Sequence, residues 1–392
     1  MRSRLAIFLV CASLGLGPAL AATPPGQPKA GPGGSDYPAG EIVKRAVGRG
    51  SAVSFVFHAA GAPAEPRPVV VFLHAWGAVN PGVYGGWIEH LARRGNLVLF
   101  PRFQEVGKIR PVDATEKAAS LVKEALAALA DDPAAKPDLN RVALIGHSAG
   151  AGLAFNLAAV AKDQGLPTPK LVHALMAGGL AKDAKSRGVQ LADLAKIDPA
   201  TLLVTVIGDR DQRPSDQASR RLLKEASAVP PERKVFLRAL SDSHGFPVLS
   251  ATLASPASQK DAFDAAQIKL PPDPPRDPKA PRAPAQNQKW SPEMVLSGEQ
   301  TVLVQQLGNN GVDTLDYLAY WRTFDMAAAA AFAGRDAQAL HNDAAFTDMG
   351  RWSDGWPVKR LGVEALRAET TASTPRREVS PAMMPVPGKK RN

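Results

Sequence analysis

Val142-Ala143-Leu144-Ile145-Gly146-His147-Ser148-Ala149-Gly150 is the stretch on which the fold turns. Its four leading apolar residues read as a strand, and the small residues after Ser148 read as the opening of a helix. Between them lies Gly-x-Ser-x-Gly. A sharp strand-to-helix turn holds a serine in a strained conformation with its hydroxyl presented, and it needs the glycines because Cβ atoms there would clash. In a chain rich in Gly and Ala the pentapeptide alone is a weak signal, and an ordinary tight turn competes with it. The setting strengthens it. Gly152 continues the small-residue run, which permits close packing of helix on sheet, and a helix N-terminus favours developing negative charge.

Strand and helix patterns alternate on both sides of this turn. Ser51–His58 alternates as a half-buried strand, and Pro68–His74 carries the continuous run Val69-Val70-Val71-Phe72-Leu73 of a strand buried on both faces. Further strands are expected at Asn96–Phe100, Arg141–Ile145, Leu171–Met176, Leu202–Ile207 and Lys234–Leu240. Helices are expected at Trp87–Arg94, Ala114–Ala130, Ala149–Lys162, Ser215–Ala226 and about Asp313–Phe332. This alternation predicts an α/β fold, a mostly parallel central sheet with helices on both faces. The 63 positions from Ser148 to Asp211 must already hold a helix and a strand, so no large cap domain is expected there.

The chain has 392 residues, 45% of them apolar, with 35 Pro and 33 Gly concentrated near the ends and in Pro271–Pro284. Arg2 and Arg4, the apolar run Leu5–Leu16 and the small residues Ala19-Leu20-Ala21 read as a signal peptide over 1–21, cleaved after Ala21 or Ala22, so the chain is expected to be exported, periplasmic or secreted. Residues 22–39 read as a disordered lead-in, 40–366 as the folded domain with a long irregular insertion at about 246–312, and 367–392 as a disordered basic tail. Cys11 is the only cysteine. A lipoprotein role for it is discounted because it lies inside the apolar run after bulky Val10. The mature chain then has no disulfide, no thiol nucleophile and no cysteine-ligated metal. No cofactor and no metal are expected.

Of the net charge of +10, the N-terminus supplies +2, residues 269–289 supply +3 and residues 367–392 supply +4. A nucleic-acid reader concentrates basic charge on a folded face. Here the charge sits in tails and a Pro-rich loop, so no nucleic-acid partner is expected, and weak contact of the basic tail with an anionic surface is the remaining reading.

A serine hydroxyl needs a general base. Of the seven histidines, His173, His244 and His341 follow Ser148. His173 falls in a buried strand and His341 follows the last helix. His244, in Ser241-Asp242-Ser243-His244-Gly245, sits in the loop after a strand and is the candidate base. The acid should follow the preceding strand, where Gly208-Asp209-Arg210-Asp211 offers two carboxylates. The Gly-x-x-Asp spacing favours Asp211 over Asp209. Its task is to fix one imidazole tautomer and stabilise the imidazolium. The oxyanion hole needs two backbone amides, for which Ala149 and Trp76 are the candidates.

These residues resemble the α/β-hydrolase superfamily over roughly Gly40 to Ala365, in particular dienelactone-hydrolase-like, chlorophyllase-like and polyester-hydrolase-like esterases. The block His74-Ala75-Trp76-Gly77 through Tyr84, Trp87, His90 and Pro101-Arg102 looks like one in exported bacterial members. The resemblance implies an α/β-hydrolase fold and hydrolysis of a small-molecule or polymeric carboxylic ester through an acyl-enzyme, with Ser148, Asp211 and His244 as the triad. Many relatives carry Gly where this chain has Ala75, and many close soon after the catalytic His. Arg351-Trp352-Ser353-Asp354-Gly355 reads as a packing turn. An amidase or peptidase with the same triad, and a catalytically silent binding protein on the same fold, are the competing readings. Oligomeric state is not legible.

Overall fold

The computed structural model describes residues 21–271 and 310–366, together with Leu307, apart from 39, 51, 62, 64, 105–109 and 212. The expected signal segment up to residue 20, the greater part of the Pro-rich insertion and the basic tail therefore lie outside the described residues.

Nine strands form one sheet: β1 (Ile42–Arg49), β2 (Ala52–Ala59), β3 (Arg67–Leu73), β4 (Leu97–Pro101), β5 (Pro137–His147), β6 (Leu171–Leu175), β7 (Leu202–Gly208), β8 (Lys234–Ala239) and β9 (Gly362–Val363). Their order is β1-β2-β4-β3-β5-β6-β7-β8-β9. The six strands from β4 to β8 are parallel, and β1/β2, β2/β4 and β8/β9 pair antiparallel. The buried runs of β3, β4, β6 and β7 have the continuous apolar character that a sheet covered on both faces demands.

Helices α1 (Gly85–Arg93) and α5 (Arg322–Phe332), the latter continuous with a π-helical segment Asp316–Trp321, cover one face. Helices α2 (Ala114–Leu129), α3 (Ala149–Gln164) and α4 (Arg213–Glu225) cover the other, and a short α6 (Ala337–His341) packs on α5. Between β6 and β7 the chain holds one 3-10 turn, Leu194–Lys196, and no cap. After Leu249 the described part of the insertion carries the 3-10 turns Asp261–Phe263 and Ala265–Gln267. No helix of the described residues is long and apolar enough to cross a membrane.

Residues 22–38 differ from expectation. This stretch is not a disordered lead-in but a strap bonded to remote elements. Thr23 exchanges hydrogen bonds with Ser353, the Pro25 carbonyl accepts from Thr314, and the Gly33 amide donates to Asp325 Oδ2 at 2.8 Å. Arg94 donates to the carbonyls of Gly31 and Gly34, and Tyr37 Oη lies 3.1 Å from His90 Nδ1. Gly31 and Gly33 adopt φ of +81° and +73°, which lets so short a segment turn twice.

His173, in β6, is wholly buried beneath Thr323 and Phe324. Burial pulls its pKa down to about 3. Between pH 6.5 and about 3 the unfolded chain holds a proton on this ring that the folded chain does not, so its contribution to stability is lost as pH falls through that window, by about 1.4 kcal/mol per pH unit. His173→Leu should flatten this part of the fall. Tm measured against pH for the two chains checks it, and parallel curves would contradict it.

Candidate active site

β5 ends at His147 and α3 begins at Ala149, so the turn between them is the single residue Ser148, at φ +52° and ψ −115°. A side chain in this region costs roughly 1–3 kcal/mol and persists only where its surroundings dictate it. Here they do. A Cβ on Gly146 would overlap the Gly150 carbonyl, and one on Gly150 would overlap the Leu73 carbonyl at the end of β3. The Ser148 amide donates to the Leu175 carbonyl at 3.0 Å, and its carbonyl accepts from Ala151 and Gly178. Strands β3, β5 and β6 thus clamp the turn. A Cβ on Gly178 would stand 3.6 Å from Ser148 Oγ, so glycine there keeps space open beside the hydroxyl.

Gly150 also lies against the His74 carbonyl, which places the loop after β3 beside the turn. The Ala75 carbonyl accepts from His74 Nδ1 at 2.8 Å and from the Ala78 amide at 2.9 Å. With that oxygen held by two donors, the planar trans peptide aims the Trp76 N–H in the opposite direction. The neighbouring amides are used: Ala75 donates to Tyr84 Oη and Gly77 to Gln104 Oε1. Of the amides from Ala75 to Ala78, that of Trp76 alone has no acceptor among the described residues. Ala149 opens α3, where helix geometry leaves the first amides without intrahelical partners.

One hydrogen-bond chain ties these parts together. Tyr84 Oη lies 2.9 Å from His147 Nδ1, and His147 Nε2 lies 2.8 Å from the Leu253 carbonyl. A carbonyl only accepts, so Nε2 carries the proton and Nδ1 accepts from the Tyr84 hydroxyl. Burial holds His147 and His74 at about 4, so both rings are neutral near pH 7 with tautomers set by their partners. Beyond Leu253, the Ser258 and Lys260 amides bond the Val83 and Gly82 carbonyls. The start of the insertion therefore runs across the carboxyl ends of the strands, from β7 to the loop before α1.

The other candidates lie in the loops after β7 and β8. Asp209 accepts from Ser241 Oγ and so belongs to the exit of β8. Asp211 follows β7 as expected, and its charge is felt by buried Tyr320, whose hydroxyl lies 2.6 Å from Ser255 Oγ. His244 departs from expectation. An Asp242–Leu249 bridge folds 242–249 into a hairpin, and the Asp242 carboxylate accepts from the His244 amide, Trp352 Nε1 and the Lys359 amide. These bonds draw the hairpin toward the β9 edge, and β8 itself stands three strands, about 14 Å, from β5. His244 Nε2 lies 2.7 Å from Asp354 Oδ2, and its ring stacks on Trp356 at 5.5 Å and 13°. The partner that the described residues show for His244 is Asp354, where Asp211 had been expected. Sequence reading had given Asp354 a packing role. Its own signal is an Asx turn to the Trp356 amide, and it stands 110 residues from His244, so nothing local announces the pair.

A family model described as Chlorophyllase matches residues 58–208, from the end of β2 through β7, which is less than half the chain. With six parallel strands and this strand-turn-helix at the end of β5, the match decides the architecture. The fold is that of the α/β hydrolases. The family match supports an esterase-like hydrolase. Among solved structures, the chain is similar to one from a study of two esterases of Rhizomucor miehei, at 14% identity and a TM-score of 0.42, covering 52% of this chain and 77% of that one. It is also similar to carboxyl esterase 2 of the mycorrhizal fungus Tuber melanosporum, at 16% identity and a TM-score of 0.38, covering 52% and 78%. No curated protein matches the chain.

Tyr84→Phe keeps the ring and removes the hydroxyl, leaving the Ala75 amide and His147 Nδ1 unpartnered. It should destabilise the protein by about 1–3 kcal/mol, read as a lower urea midpoint with an unchanged slope. An unshifted midpoint would show that the chain of bonds is not made.

Proposed function

We propose that the chain is an exported serine hydrolase that cleaves small-molecule or polymeric carboxylic esters through an acyl-enzyme. The observation that carries this is the positive-φ Ser148 beside a loop whose Trp76 amide, without an acceptor among the described residues, is aimed by two donors on the preceding carbonyl. In this reading Ser148 Oγ attacks the carbonyl carbon and the oxyanion is held by the Trp76 and Ala149 amides. Each such donor is typically worth about 10² to 10³ in rate. The alcohol leaves, and water then attacks the acyl-enzyme and restores the serine. Trp76 and the segment from Leu249 to Ser258 would form the acyl-side wall.

His244 is the base of this reading and Asp211 its orienting acid. The relay requires Nε2 to leave Asp354 for Ser148 Oγ. A hydrogen bond open to water contributes little because water competes for both partners, so Asp354 is a weak holder. The leader over residues 1–21 supports export to the periplasm or beyond. The same His244–Asp354 pair favours a second reading, a binding protein on this fold whose serine has no base.

A fluorophosphonate probe separates the two. The wild type should label, Ser148→Ala should not, and His244→Ala should label at least a hundredfold more slowly. A well-folded wild type that does not label is the binding protein. For the acid, Asp211→Asn should lose far more ester hydrolysis than Asp209→Asn, and the reverse order would reassign it.

A further inference from the structure

The glycines around Ser148 are not alike. Cβ atoms on Gly146 and Gly150 would overlap backbone carbonyls, so the fold itself requires glycine there. Gly178 is different. Among the described residues a Cβ on it would meet Ser148 Oγ at 3.6 Å and the Met176 carbonyl at 3.8 Å, both ordinary van der Waals distances, and its φ is not positive. Neither that packing nor the backbone asks for glycine.

The space beside it is held open. The Gly178 amide donates to the Ser148 carbonyl at 3.2 Å. Met176, buried at φ +47°, donates its amide to the Val206 carbonyl of β7 at 2.8 Å. A positive φ away from glycine persists only where the surroundings dictate it. The Ala177 carbonyl accepts from Ser215 Oγ of α4 at 2.8 Å, and the Gly179 carbonyl from the Val189 amide at 2.8 Å. Each residue from 176 to 179 is thus tied to a separate partner, which keeps the loop out of the gap. Met176 and Ala177 are buried while Gly178 is part-exposed, so the gap opens toward solvent.

The sheet order says which part of an ester meets it. β3 and β6 flank β5 on opposite sides. The loop after β3 carries Trp76 and receives the oxyanion. Gly178 follows β6, on the side of β7 and β8, whose loops carry Asp211 and His244. When the tetrahedral intermediate collapses, the bond from carbon to the alcohol oxygen breaks. That oxygen takes from His244 the proton that His244 removed from Ser148. The leaving alcohol therefore lies on the side of the base, which is the side of Gly178.

We propose that Gly178 is a specificity-determining residue for the leaving alcohol. The room of one methyl group beside Ser148 Oγ admits a branch on the carbon next to the ester oxygen, so the substrate class is esters of secondary alcohols. This rests on the reading of Ser148 as the nucleophile. Isopropyl and n-propyl butyrate are isomers that differ in that branch, and n-propyl butyrate and n-propyl isobutyrate are the matching acyl pair. kcat/KM is measured for all three in the wild type and in Gly178→Ala. The wild type should turn over the isopropyl ester within about tenfold of the n-propyl ester. In Gly178→Ala the isopropyl to n-propyl ratio should fall by about tenfold or more, while the acyl-pair ratio holds. Its Tm should be no lower than that of the wild type, because Ala at a compatible φ restricts the unfolded chain. A wild type that rejects the isopropyl ester, or a ratio that does not move, overturns the proposal. A change confined to the acyl pair overturns it by giving the space to the acyl group, and a lowered Tm does so by showing that the fold requires the glycine. A wild type that fluorophosphonate does not label removes the nucleophile and the proposal together, whereas a labelled wild type with an unmoved ratio removes the proposal alone.

Discussion

The positive φ of Ser148 is the constraint that orders its neighbours. One residue must turn the chain from the end of β5 into α3, and it can do so only if the atoms on either side leave no room for anything larger than glycine. That closeness brings α3 onto β3 and β5 together, which requires Gly146 and Gly150, while Gly152 one turn on leaves room for Leu180 after β6. It also brings the loop after β3 alongside. Once there, the loop is set by hydrogen bonds whose directions are forced. Ala75 presents one oxygen and one N–H, His74 takes the first and Tyr84 the second, and peptide planarity leaves the Trp76 amide pointing away. The geometry of the site follows from a steric limit in the turn and a donor–acceptor count in the loop.

The parts that could be read in the sequence are those whose cause is local. β3 announces itself through Val69 to Leu73, since a strand covered on both faces has no place for alternation. The turn at Ser148 announces itself through the glycines it cannot do without. The absence of a cap between β6 and β7 follows from chain length. β1 was not legible because Ile42 to Arg49 is an edge strand with charged residues among its apolar ones, paired to β2 on one side only. The strap was misread for a related reason. Pro and Gly in residues 22–38 suggest a chain without structure when composition is the only guide. Their carbonyls and amides are satisfied by Arg94, Thr314, Asp325 and Ser353, all remote in sequence.

His244 shows the same limit at the site itself. Its place after β8 is local information and was read. Its orientation depends on Asp242, whose carboxylate takes three donors from the hairpin and from the stretch before β9. A carboxylate with that many donors fixes the hairpin's base, and the ring at its tip then meets Asp354 and Trp356. A histidine in the right loop is therefore not yet a base. What makes it one is which way the anchored hairpin faces.

The strap is bonded to the body of the fold at both of its ends. Asp325 Oδ2 accepts from the Gly33 amide and from His90 Nε2, while Arg94 stands 3.5 Å from the same oxygen and reaches the strap's carbonyls. His90 is fully buried, so losing the strap would strip partners from a buried ring and from the carboxylate beside it. Unsatisfied buried polar groups cost roughly 1–3 kcal/mol each. At the other end of the strap, Ala22 and Thr23 hold Phe246 and Ser353.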